Sequence, residues 1–136
     1  MIPVRIDICS RQPDGETLHF QTTGGLQRRS DKLHLYFSVQ TDATLPAAAY
    51  RLIYWREGLA FLETDGATSY RFRLEEGKRT QATMTVHSLS ASVTVQTNVV
   101  EQKDLSSHGI LRLHYRLYTG QALLNENDIA LNWETQ

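Results

Sequence analysis

Five histidines, one cysteine and a scatter of carboxylates are the side chains with which this 136-residue chain could do chemistry. His19, His34, His87, His108 and His114 include no pair at the short spacing that sets two metal ligands on one face of an element. A lone inward histidine can ligate haem iron, but nothing singles one out, and no metal or other cofactor is implied. Cys9 has Arg11 as its nearby cation and otherwise reads as a passive thiol on an outer strand face. A single cysteine forms neither an internal disulfide nor a paired-cysteine zinc site. Glu75, Glu76, Glu126 and Asp128 stand in or beside turns, where solvated charge is expected. The chain has no Gly-x-Ser-x-Gly elbow, Walker loop or dinucleotide glycine fingerprint. An enzyme is therefore the least supported class.

Charge narrows the partners. The formal net charge is −1, from 14 Lys+Arg against 15 Asp+Glu. A domain that grips a nucleic-acid backbone carries an excess of positive charge, so nucleic acid is not an expected partner. Basic residues do gather locally, at Arg28, Arg29 and Lys32, at Arg71, Arg73, Lys78 and Arg79, and at Arg112 and Arg116. The aromatics beside them on outward phases are Tyr36 and Tyr118. No apolar run approaches the roughly 18 residues that span a bilayer. The start, MIPVRIDICSRQ, alternates where a signal peptide would be continuously apolar. A cytoplasmic location without membrane association is the expectation.

The elements that must position these residues are strands. Apolar and polar residues alternate along Ile2–Cys9, Leu33–Gln40, Tyr70–Glu75, Ser90–Thr97, Leu111–Leu117 and Ile129–Glu134. Successive strand side chains point to opposite faces, so each segment has one buried face and one wet face. Pro13-Asp14-Gly15, Glu57-Gly58, Asp65-Gly66, Glu76-Gly77 and Thr119-Gly120 separate the runs as tight turns. The pattern predicts strands at 2–11, 16–28, 32–41, 49–57, 59–65, 67–75, 78–87, 89–100, 109–118 and 123–134. The Leu45–Ala49 stretch reads as a loop or a single turn. Sequential hairpins with one apolar face and no covering helix predict an all-β domain over residues 1–136, an antiparallel up-and-down barrel of about eight to ten strands.

Several stretches support a family resemblance. They are Val4-Arg5-Ile6-Asp7-Ile8, Phe20-Gln21-Thr22-Thr23-Gly24, Glu76-Gly77-Lys78-Arg79-Thr80, the Met84–Thr97 hairpin, Gly109–Leu117 and Asn127–Trp133. Together they resemble the YwiB-like family, small bacterial cytoplasmic proteins without an established function. The resemblance implies a calycin-like, lipocalin-like barrel and carries no activity with it. Two places depart from the family pattern. Met84-Thr85-Val86-His87-Ser88-Leu89 stands where the family usually has Tyr-x-Thr-Pro-Tyr-Gly, and Thr64-Asp65-Gly66 where it tends to have an Arg-x-Gly turn.

Projecting the apolar phase inward puts Phe20, Phe37, Tyr54, Tyr70, Phe72, Met84, Tyr115 and Trp133 inside the barrel, with Arg56 on the same phase near a strand end. A small barrel interior is either filled or holds one small ligand. Tyrosine tips could orient such a ligand, and Arg56 at the mouth could meet its anionic end. The expected function is binding of a small, mostly apolar ligand inside the barrel. The alternative is an interaction protein with no ligand cavity, using an outer face. The segment Tyr50–Trp55 is apolar on both sides, and Ile53, Trp55 and Leu62 are read as one outward patch, with Ala60 beside Leu62 and further apolar residues at Val100 and Ile110. That patch would be covered by Leu45–Ala49 or would serve a homodimer or protein partner.

Overall fold

The computed structural model describes residues 1–40, 44 and 47–136, the side chains of Trp55 and Arg56 excepted. Its strands are β1 (Ile2–Arg11), β2 (Thr17–Arg29), β3 (Lys32–Val39), β4 (Ala48–Arg56), β5 (Leu59–Asp65), β6 (Thr68–Glu75), β7 (Arg79–Val86), β8 (Leu89–Asp104), β9 (His108–Thr119) and β10 (Ala122–Thr135). Each pairs antiparallel with its sequence neighbour, and β1 pairs with β10 to close the barrel. Closure pairs every strand on both sides, although β6 and β7 share only two ladder pairs. Among the described residues no helix is long and apolar enough to cross a membrane.

The alternation does what it predicts over most of this length. Val4, Ile6, Ile8, Leu33, Leu35, Phe72, Leu74, Val93, Val95, Leu111, Leu113, Tyr115, Leu117, Leu131 and Trp133 are all buried in one core. Each such side chain contributes roughly 1.5–3 kcal/mol of burial free energy. The glycines of the five expected turns, Gly15, Gly58, Gly66, Gly77 and Gly120, all have positive φ. Other hairpins manage without glycine: Ser30 takes φ of 56° between the paired residues Arg29 and Lys32, and His87 and Ser88 take φ of 49° and 69° between Val86 and Leu89.

Three expectations are corrected. β8 runs on to Asp104 because a bulge between Thr97 and Val99 shifts its phase. The same bulge turns Val100 inward, to complete burial, where unbroken alternation would point it out. Ile110 does stand outside, 47% exposed. On β5 the phase is the reverse of the expected one. Leu52 pairs with Leu62 and Tyr54 with Ala60, and directly paired residues share a face, so Leu62 and Ala60 point in and Phe61 points out. The run Leu59-Ala60-Phe61-Leu62 is apolar throughout and carries no phase of its own. β4 begins at Ala48, one residue before the expected start of the strand and inside the stretch read as a loop.

Candidate functional site

Register stacks the inward side chains in layers along the barrel axis. On one wall Leu33, Tyr54, Ala60 and Leu74 form a layer; Leu35, Leu52, Leu62 and Phe72 lie next to it; Phe37, Tyr50, Thr64 and Tyr70 follow. On the opposite wall the order is Ile6, Trp133 and Gly109, then Ile8, Leu131 and Leu111, then Ser10, Ile129 and Leu113, then Asn127 and Tyr115. The two ends of the barrel have different chemistry.

The first end is closed. The Trp133 indole N–H donates to the Tyr54 hydroxyl at 3.0 Å, and both rings are fully buried. Arg28 lies 5.9 Å from the Trp133 ring centre and holds Asp104 through two hydrogen bonds of 2.6 and 3.0 Å. Burial pushes the Tyr54 hydroxyl up to about 12, against the opposing pull of its Trp133 hydrogen bond. Gly109 leaves room for the indole, since a Cβ there would overlap the Trp133 ring.

The second end holds a cavity of about 180 Å³. Leu52, Leu62, Leu111, Leu113 and Leu131 make its apolar floor, and Phe20, Phe37, Val39, Ile8 and Ile129 make its walls. Ser10, Tyr50, Tyr70, Tyr115 and Asn127 supply its polar groups. Ring packing fixes the tyrosines: Tyr50 stacks on Phe37 at 5.5 Å, Tyr70 stacks on Phe72 at 3.9 Å, and Tyr115 meets the Phe72 ring at 6.2 Å and 67°. The phenols are close enough to perturb one another. Burial first, and then Tyr115 and Tyr50, push the Tyr70 hydroxyl far up, while burial and Tyr50 do the same to Tyr115. Burial raises Tyr50 as well. Thr64, in the same layer, spends its hydroxyl on the Ala49 carbonyl at 2.8 Å. The hydroxyls of Tyr50, Tyr70 and Tyr115 make no such bond among the described residues.

The expected interior set therefore divides. Phe20, Phe37, Tyr70 and Tyr115 line the cavity; Phe72 sits beneath it, fully buried; Met84 packs against the core from β7. Tyr54 and Trp133 belong to the closed end, so they do not share a ring with Tyr115 around one ligand. The Arg56 side chain lies outside the described residues, and its backbone pairs with Leu59 at the end of β4 farthest from Tyr50 and the cavity. Tyr50 was not singled out by the sequence reading, although it shares the inward phase of Leu52 and Tyr54.

The outer-face set divides too. Leu62 lines the cavity. Ile53 faces outward but is 7% exposed, between His34 and Phe61 on the neighbouring strands. The Trp55 side chain and, of the Leu45–Ala49 stretch, Leu45 and Pro46 lie outside the described residues. Arg71 and Arg73 cover Phe61, at 4.9 and 5.8 Å from its ring. Outer arginines pair with carboxylates: Arg51 and Arg71 with Glu63, Arg73 with Glu75, Arg112 with Asp128, and Arg116 with Glu126. Both His114 ring nitrogens are engaged, Nε2 with Glu126 at 2.9 Å and Nδ1 with the bulge residue Asn98 at 3.2 Å. His34 and His114 lie on strands that are not neighbours. Cys9 is exposed, and no group of three potential metal ligands occurs among the described residues.

A closed ten-stranded meander with one plugged end and one hollow end is a calycin-like β-barrel. The fold is shared with the ywiB protein from Bacillus subtilis, whose crystal structure superposes with a TM-score of 0.83 at 19% identity, over 99% of this chain and 92% of that one. The chain belongs to the family described as a domain of unknown function, DUF1934, whose profile matches residues 2–131. No curated protein matches it.

Proposed function

We propose that this barrel binds a small, mostly apolar molecule in the cavity at its open end. The observation that carries the reading is the set of tyrosine hydroxyls at Tyr50, Tyr70 and Tyr115, which reach an apolar cavity and find no partner among the described residues. The Tyr54 hydroxyl at the other end is taken by Trp133, whereas these three stay accessible to a molecule in the cavity. A bound molecule with an acceptor atom supplies what the described residues do not. At about 180 Å³ the cavity is smaller than the roughly 300–1,000 Å³ of drug-sized sites, which suits a fragment-sized molecule or one end of a longer one. Of the residues of the partner-surface reading, Leu62 lies in the interior and Ile53 is 7% exposed, while Ile110 stands outside.

Native mass spectrometry of protein purified from its own cells tests the reading. The expected spectrum shows a small-molecule adduct that a cavity-filling Leu113→Trp variant, folded by circular dichroism, no longer carries. A bare chain mass, together with unmoved amide resonances for the lining residues when 2-nonanone is titrated in, sinks it.

A further inference from the structure

The cavity is built to sort molecules by charge as well as by shape. Its deep layer is leucine, contributed by Leu52, Leu62, Leu111 and Leu131. Its hydrogen-bonding groups lie one or two layers nearer the mouth, where Tyr50 and Tyr70 share a layer and Tyr115 faces Asn127 across the β9–β10 ladder. Among the described residues no lysine, arginine, histidine, aspartate or glutamate lines it.

Resting on the ligand-binding reading above, we propose that the site selects an uncharged ligand, with an apolar body on the leucine layer and one carbonyl or ether oxygen taken by the tyrosine hydroxyls, over a carboxylate of the same carbon skeleton. Moving an ionised carboxylate from water into an apolar site costs far more than moving a neutral acceptor, unless a cation pairs with it. The cations nearest the tyrosines, Arg51 and Arg71, line an outer pocket with Tyr50 and Tyr70 and are both held by Glu63, and Arg28 lies at the closed end, held by Asp104. The tyrosines report the same penalty on themselves, since burial holds all of them in the protonated, donating form. An acceptor oxygen receives hydrogen bonds from those donors and brings no uncompensated charge. The tail-down orientation follows from the layers, because the reverse would press the acceptor against leucine and leave the hydroxyls facing hydrocarbon.

The test is a matched pair of probes, 2-nonanone and nonanoate, titrated into the full chain by calorimetry at pH 8. The ketone is expected to bind at least tenfold more tightly. A Tyr50→Phe/Tyr70→Phe double variant is expected to bind the ketone about tenfold more weakly, and the single variants serve in its place should the double variant not fold. Nonanoate binding as tightly as 2-nonanone, or ketone affinity untouched by the tyrosine changes, overturns the charge selection while leaving the ligand-binding reading in place. Failure of both probes to bind overturns the ligand-binding reading itself, and the selection with it.

Discussion

Tyr50 and Tyr54 occupy the same inward face of β4, yet one hydroxyl faces a cavity and the other holds Trp133 in place. The difference is measurable as stability. Tyr54→Phe strands the buried Trp133 N–H, and an unsatisfied buried donor costs about 1–3 kcal/mol. Tyr50→Phe removes a group with no partner among the described residues, so its unfolding free energy should stay within about 0.5 kcal/mol of the parent. Urea denaturation of the two variants checks the contrast, and equal losses would contradict the division into a plugged and a hollow end. His34 makes a second prediction at this scale. Its ring is buried with Nδ1 unpartnered, on the outer face beside Ile53. Desolvation holds its pKa below the ordinary histidine value; Arg29, Arg51 and Lys32 lower it further, and Glu63 opposes them. Above that ordinary value, near 6.5, both folded and unfolded chains carry a neutral ring, so the group has no effect on stability. As pH falls through it, the unfolded chain takes up a proton that the folded one refuses, and stability drops. A His34→Gln variant should therefore lose part of the decline in urea midpoint between about pH 7.5 and 5. An unchanged slope would mean that His34 titrates alike in both states.

At the scale of elements, the β7–β8 hairpin stands out by its turn. It turns through His87 and Ser88, both with positive φ. A two-residue turn of this hand favours Asn-Gly, and an ordinary L-residue in the left-handed region costs roughly 1–2 kcal/mol. The His87→Asn/Ser88→Gly pair is expected to raise stability by about 1 kcal/mol, read as a rise in Tm of about 3–5 °C. No rise would place the strain elsewhere. Elements were the most legible part of the sequence. Every strand was found, because period-2 alternation and turn glycines are local signals that need no partner. What failed was phase, at two kinds of place. The β8 bulge at Asn98 inserts a residue that no pattern announces, so Val100 turned inward and the strand outran its expected end. On β5, four consecutive apolar residues left Leu62 and Phe61 interchangeable until pairing with β4 decided between them.

For the molecule as a whole, alternation tells which side of the wall a residue takes but not its height along the barrel axis. Height depends on register, and bulges between Tyr54 and Arg56, Thr97 and Val99, and Leu123 and Asn125 shift it. That is why alternation puts Phe20, Phe37, Tyr70 and Tyr115 in one interior with Tyr54 and Trp133, although the last two plug the opposite end. A ten-stranded barrel is wider than the eight-stranded kind that side chains just fill, so large rings at one end leave room at the other. The wall around that room is uneven. The β8–β9 and β9–β10 ladders run nearly the length of their strands. Between β6 and β7, among the described residues, the ladder holds Thr68 to Val86 and Ser69 to Thr85 and then stops. Below it the Thr80 hydroxyl bonds to the Arg73 carbonyl at 2.7 Å, a side chain standing in for a ladder bond. Backbone groups without ladder partners open at lower free energy than those inside a continuous one. Native-state hydrogen exchange should therefore show the weakest protection on the β7-facing amides of β6 and the β6-facing amides of β7, and the strongest on β9 and β10. Uniform protection around the barrel would mean that the seam is as firm as the rest of the wall. Protection rising at Tyr70 and Phe72 when 2-nonanone is present would tie the seam to the cavity, because both rings stand on β6 and stack on one another at the cavity's edge.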